Sequence, residues 1–321
     1  MTEDCRSNSF GTAAYGGPAW QQRVRPHAEE IGLHWAGMGI DSEWAPLRAV
    51  LLHRPGPELA ASKDPEQAQM LAPLDLGKAQ AEHQALSKAY REQGIEVIEL
   101  APKEPVTPNQ MFMADLFFMT PQGAVLARPA SEVRAGEERP VARRLADLGV
   151  PLLKTLTGSA TFEGADALWL DSITVLLGRG HRTNQAAIDQ ISNLLQEIGV
   201  TSIAVDMPFG TMHLMGMLRL VAPDLAIAWP RRTPHAAVVA LQDRGYHVAF
   251  LPDEAEASLN RGLNFVTLSP RRILMVGDNP LSETFYNGLD IECLSVAVPE
   301  LTKAAGAIGC LTGVLRRDLS A

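Results

Sequence analysis

The sequence predicts an α/β fold in which one unit of strands and helix recurs five times around an axis, and three observations carry that prediction. Five helical stretches each run into a glycine and then a β-rich segment: "HQALSKAYREQGIEVIEL", "VARRLADLGVPLLKTL", "ISNLLQEIGVTSIAV", "AVVALQDRGYHVAFL" and "ETFYNGLDIECLSV". A short apolar strand precedes each of them, namely "LRAVLLHRPG", "GAVLARPAS", "TVLLGRGHRT", "LAIAWPRRT" and "RILMVGDNP". A third, mostly apolar segment follows each glycine-led strand: "NQMFMADLFFM", "TFEGADALWL", "GTMHLMGMLRL", "GLNFVTLS" and "GAIGCLTGVL".

Each element has a physical reason. Gly94, Gly149, Gly199, Gly245 and Gly288 mark the helix ends, where glycine takes the left-handed cap conformation at little cost and lets the chain turn back. The strand starts recur at roughly 50-residue intervals, more widely after the first, which is a repeat period and not a chance alternation. The third segments are apolar on both faces, as strands buried in an interior are. Their polar residues come at the start: Asp115, then Glu163 with Asp166, then His213, Asn264 and Cys310. Closing five such units around an axis brings these residues to one central mouth.

A doubly wound nucleotide-binding sheet is the competing arrangement of alternating strands and helices, and it requires a glycine-rich phosphate loop. The nearest candidates, "HRPGPEL" and "LLGRGHRTN", match neither G-x-G-x-x-G nor the P-loop pattern.

Composition narrows the partners. The chain has 321 residues, 46% of them hydrophobic, enough for a large core. A net charge of −9 with thinly spread Lys and Arg argues against a nucleic-acid surface and for a small-molecule role. Cysteines at 5, 293 and 310 form neither a disulfide framework nor a metal-spaced pair, so a cytoplasmic setting without metal or cofactor is expected. Cys293 sits within "IECLSVAV" and reads as packing. No signal segment and no apolar run long enough to span a membrane is present. Residues 1–40, rich in Gly, Ser and Pro, are expected to form a poorly ordered arm ahead of a single domain over 41–321.

A buried free cysteine usually behaves as a small hydrophobe, and a lone histidine on an apolar strand is usually a satisfied core residue. Their recurrence at corresponding places in successive repeats, beside carboxylates that are costly to bury, favours a site instead. The chemistry is then a thiolate attacking an electrophilic carbon while histidine moves protons. Carboxylates raise the pKa of a neighbouring thiol and suit a cationic substrate. A guanidinium fits, because its planar N–H edge matches carboxylate oxygens and its charge favours the thiolate. Arg179 and Arg182, in the turn after a strand, are candidates for a substrate carboxylate. Asn264 is a candidate either for substrate or for backbone groups at a strand start.

The Asp strand, "FEGAD", "MHL" and the C-terminal Cys, with the opening "SEWAPLRAVLLHRPGPEL" and "GRGHRTN", resemble the guanidino-modifying penteins over residues 40 to 317. That superfamily includes arginine deiminases, dimethylarginine dimethylaminohydrolases and glycine amidinotransferases. The resemblance implies a five-bladed α/β propeller of pseudo-five-fold ββαβ repeats with the active site on its axis. It implies that Cys310 attacks the guanidinium carbon to give a covalent thiouronium and that His213 protonates the leaving amine and activates the incoming nucleophile. Glu163 or Asp166 would orient His213, and Asp115 with the other carboxylate would hold the guanidinium. Homodimers are common in the family. Two positions depart from its pattern: Met215 stands where an acidic residue two after the histidine is usual, and Ala114 where an arginine is common. A more apolar pocket and a weaker clamp point away from free arginine to a substituted guanidine or an unusual guanidino compound, with arginine itself kept as a candidate and ammonia or an amine as the leaving group. Hydrolysis to a ureido product is the expected reaction; amidino transfer to an amine and a non-catalytic binding scaffold are the alternatives.

Overall fold

The computed structural model describes residues 11–60 and 64–320, and their strands gather into five sheets of three strands each. Blade I holds β1 (Leu47–Leu52) and β2 (Glu96–Glu99). Blade II holds β3 (Phe117–Thr120), β4 (Gly123–Leu126) and β5 (Leu152–Thr155). Blade III holds β6 (Ala167–Asp171), β7 (Thr174–Arg179) and β8 (Thr201–Asp206). Blade IV holds β9 (Leu218–Ala222), β10 (Leu225–Ala228) and β11 (His247–Phe250). Blade V holds β12 (Val266–Ser269), β13 (Arg272–Val276) and β14 (Glu292–Val296). The last strand, β15 (Gly313–Arg317), returns to complete blade I by pairing antiparallel with β1.

Every blade repeats one pattern. A middle strand pairs antiparallel with an inner one and parallel with an outer one, as β7 does with β6 and β8. The parallel step needs a crossover, and a helix supplies it: Leu76–Glu92, Glu138–Asp147, Gln185–Glu197, His235–Gln242 and Pro280–Asn287 in turn. In the third of these, Ala187, Ile188, Ile191, Leu194 and Leu195 form one buried face at helical spacing. Asn184 caps its start by accepting from the Ala187 N–H at 3.0 Å. The middle strands β4 and β10 are buried throughout, whereas outer strands such as β5 are exposed or half-buried along their length. This is the five-bladed α/β propeller the repeats predicted.

Two local expectations are corrected. Gly94, Gly149, Gly199 and Gly245 do take positive φ, at 72 to 81°, but Gly288 has φ −65° and Asp290 takes the left-handed position instead. The polar residues also precede the inner strands. Asp115 ends a 3-10 turn before β3, Asp166 ends another before β6, and Cys310 lies in the one-turn helix Ile308–Leu311 before β15. These tight turns pack against one another and aim their side chains across the axis instead of along a pleat.

Residues from all five inner strands, including Phe117, Leu168, Leu220, Val266 and Val314, line one axial cavity of about 70 Å³. Of the expected arm, residues 1–10 lie outside the described residues. Residues 27–40 run along the propeller: His27 meets the Gln122 carbonyl at 3.0 Å, Ala36 N–H donates to Gly149 O at 2.9 Å, and Gly39 bridges to Arg316.

Candidate active site

Cys310, His213, Asp115 and Arg182, distant in sequence, line one pocket at the mouth of the propeller. The first side chain to be fixed is the thiol. Asn264 Nδ2–H donates to Cys310 Sγ at 3.1 Å, while Asn264 Oδ1 accepts from Gly309 N–H at 2.7 Å. One amide therefore holds both the sulfur and the backbone that carries it. Burial pushes the thiol pKa up and Asp115 adds to this, opposed by the Asn264 donor and the Arg219 charge.

His213 is held from behind. Its Nε2 is 2.6 Å from Glu163 Oε2, and its Nδ1 lies 3.7 Å from Asp115 Oδ1. Burial disfavours the imidazolium, but Asp115 and Glu163 outweigh it and push the pKa up to about 9. Glu163 is wholly buried. Burial opposes its ionisation as well, yet the hydrogen bond to His213 and the charges of His213, Arg134 and Arg182 keep it well below the usual carboxylate range. Asp166 does not touch the imidazole. It accepts from Leu214 N–H at 2.9 Å and from Thr183 Oγ1 at 2.6 Å, so it anchors the backbone next to His213. Burial raises it to about 6 against those donors.

Arg134 is the residue that sequence reading passed over. It is buried, and its Nη1 donates to Asp115 Oδ2 at 2.8 Å and to Glu163 Oε2 at 3.2 Å, with Glu137 2.9 Å from its Nε. Burial works against its charge, but Asp115, Glu137 and Glu163 raise its pKa beyond the ordinary arginine value. The only sequence signal was position: "RPASEVR" follows a middle strand as "RGHR" does one blade later. Arg182 donates to Glu163 Oε1 at 3.2 Å. Arg179, three residues earlier, points away. It forms a two-point ion pair with Asp206 at 2.6 and 2.8 Å on the surface and lines neither pocket beside Cys310.

Among the described residues, Asp115, Glu163 and His213 bring ligand-type atoms within 4.8 Å of one another. Arg134 already bridges the two carboxylates, so a divalent ion there would face a fixed guanidinium. Asp115 Oδ1, by contrast, is buried and has no hydrogen-bond partner. A buried acceptor without a donor marks where a ligand N–H belongs. Among the described residues, no helix is long and apolar enough to cross a membrane.

Five ββαβ blades with a cysteine, a histidine and carboxylates gathered at their centre define a guanidino-modifying enzyme of the pentein superfamily. The chain belongs to the dimethylarginine dimethylaminohydrolase family: the model of the family described as N,N dimethylarginine dimethylhydrolase, eukaryotic, matches residues 74–313. Human DDAH2 is 30% identical over 87% of this chain and 98% of its own length. The N(G),N(G)-dimethylarginine dimethylaminohydrolase of Streptomyces coelicolor is 27% identical over 84% of this chain and 98% of its own. A Cys→Ser variant of DDAH from Pseudomonas aeruginosa, solved with citrulline, superposes with a TM-score of 0.69 at 19% identity, covering 85% of this chain and all of that one.

Proposed function

We propose that the protein hydrolyses a substituted guanidino compound through a covalent thiouronium on Cys310, releasing an amine and leaving a ureido product. The observation that carries this reading is the orphaned Asp115 Oδ1, buried beside the Asn264-held thiol and the Glu163-held imidazole. A guanidinium N–H supplies the missing donor, and its charge offsets the burial and the Asp115 field that keep the thiol protonated. The thiol proton leaves to solvent on binding. The thiolate then adds to the guanidinium carbon, and the displaced π pair moves to nitrogen. His213, protonated at neutral pH, gives its proton to the departing nitrogen as the C–N bond breaks. Neutral His213 next takes a proton from water. The hydroxyl adds to the thiouronium carbon, the C–S bond breaks to return the thiolate, and the hydroxyl proton passes to solvent as the ureido carbonyl forms. Arg182, whose Nε is buried without a partner, is placed to bind an anionic tail at the same pocket.

Intact-mass spectrometry during incubation with arginine and its N-methylated forms tests the reading. An adduct on Cys310, absent in Cys310→Ala, together with a ureido product is the expected outcome. A new guanidino product that requires an added amine would replace hydrolysis by transfer. Neither adduct nor product with any guanidino compound would overturn both.

A further inference from the structure

Cys310 and His213 face a second pocket on the side away from the paired carboxylates, and it is much the larger, at about 280 Å³ against about 20 Å³. Its walls are apolar, with Met212, Met215, Met217, Trp229 and Leu263 forming most of them. Arg232 and Arg261 bring its positive charge, Ser258 and Asn264 also line it with side chains already bonded to Glu254 O and to Cys310 and Gly309, and no carboxylate belongs to it. The polar hydrogen-bonding potential there is one-sided. Trp229 is 8% exposed, and its Nε1–H has no partner. Arg261 Nε is likewise buried without one. Arg232 lies 5.5 Å over the Trp229 ring, and among the described residues the one hydrogen bond of its guanidinium is a long one, Nη1 to Phe209 O at 3.4 Å. Indole and guanidinium groups are donors only, so the complement they lack is an acceptor with negative charge.

Size points the same way. At about 280 Å³ the pocket is larger than an N-methyl pair needs, since one water-sized group requires only about 10–15 Å³ of such space. Met215, which lines both this pocket and the axial cavity, makes this side of the thiol apolar.

Resting on the hydrolase reading above, we propose that this pocket receives the substituent on the departing guanidino nitrogen, and that this substituent is a short alkyl stem ending in a carboxylate held by Arg232 and Trp229. The reaction then consumes one water. The C–N bond to the substituted nitrogen breaks, the carbonyl oxygen of the ureido product comes from water, and the leaving group departs as an ammonium-carboxylate amino acid.

The test compares arginines carrying a methyl, a propyl or a 3-carboxypropyl group on a terminal guanidino nitrogen, with released amine measured by mass spectrometry. Binding of the same three compounds to Cys310→Ala is measured by calorimetry. The 3-carboxypropyl compound is expected to exceed the propyl compound at least tenfold in kcat/KM and in affinity. Arg232→Met and Trp229→Phe should each cut that ratio severalfold. Turnover of all three compounds with no carboxypropyl preference would overturn the pocket assignment and leave the hydrolase reading standing. Absence of turnover, with a tenfold binding preference that Arg232→Met abolishes, would overturn hydrolysis and retain the pocket's ligand class. Equal binding of all three compounds to Cys310→Ala would remove the assignment whatever the turnover.

Discussion

Replacing Glu163 with Gln separates the charge that holds His213 from the shape that positions it. The imidazole is raised from 6.5 to about 9 because Asp115 and Glu163 outweigh its burial. An elevation of that size corresponds to about 3 kcal/mol in favour of the protonated ring. Glutamine keeps an oxygen for the Nε2–H but removes the negative charge, while burial and the Asp115 charge remain, so His213 in Glu163→Gln should titrate well below its wild-type value. The sign for stability follows from linkage. A histidine raised in the folded state contributes stability that is fully present below its unfolded value and is lost as pH rises through its folded value. Wild-type unfolding free energy should therefore fall by about 3 kcal/mol between pH 6.5 and 9, and the variant should show a shallower slope. The variant also leaves Arg134 and Arg182 short of a counter-charge, at a further loss of about 3 kcal/mol at all pH values. Ring-proton NMR titration reads the first quantity, and urea unfolding across the same range reads the second. Turnover at pH 8 should drop severalfold, because a smaller share of His213 then carries the proton that the departing nitrogen needs. A His213 that still titrates near 9 in Glu163→Gln would refute the reasoning.

Asn264→Ala should push the Cys310 thiol further up, since burial and Asp115 then act without the Nδ2–H donor; alkylation by iodoacetamide at neutral pH should slow severalfold and its pH midpoint should rise, and an unmoved midpoint would remove Asn264 from that role. Gly309→Ala would place a Cβ 2.0 Å from Arg219 Nη2 and 2.9 Å from Asn264 Oδ1, so denaturant unfolding should show a loss of about 1–3 kcal/mol; wild-type stability in this variant would mean that Arg219 moves freely.

The blades were legible because the sequence obeys two local rules at once. Middle strands such as "TVLL" are apolar on both faces, and helix ends such as Gly149 and Gly199 carry a residue that tolerates positive φ. The rule failed at Gly288, because the αL position there belongs to Asp290, two residues on, and aspartate tolerates it. Cys310, His213, Glu163 and Asp115 stood out because chemistry-bearing residues recurred at one place in each repeat. Arg134 did not, because "SEVRAGEER" reads as a solvated charged loop and only tertiary packing buries its guanidinium among three carboxylates. The pair Arg179 and Arg182 shows the same limit. Three residues of an irregular turn decide which of them faces Asp206 in solvent and which faces Glu163, and no period governs such a turn. The division between the roles of Glu163 and Asp166 was equally out of reach, since it depends on one carboxylate meeting an imidazole and the other a backbone N–H.

Completion of blade I by β15 has a consequence for synthesis. The strand that β1 waits for follows all the other propeller strands in the sequence, and Cys310 precedes it by three residues. Chains grow from the N-terminus and fold by parts as they emerge. Blades II to V can therefore assemble while one edge of β1 is still bare, and Cys310 joins Asp115 and His213 only when residues 308–317 have left the ribosome. Until then the growing polypeptide carries a nearly finished ring without the thiol in its place, and an open strand edge that a chaperone would need to shield.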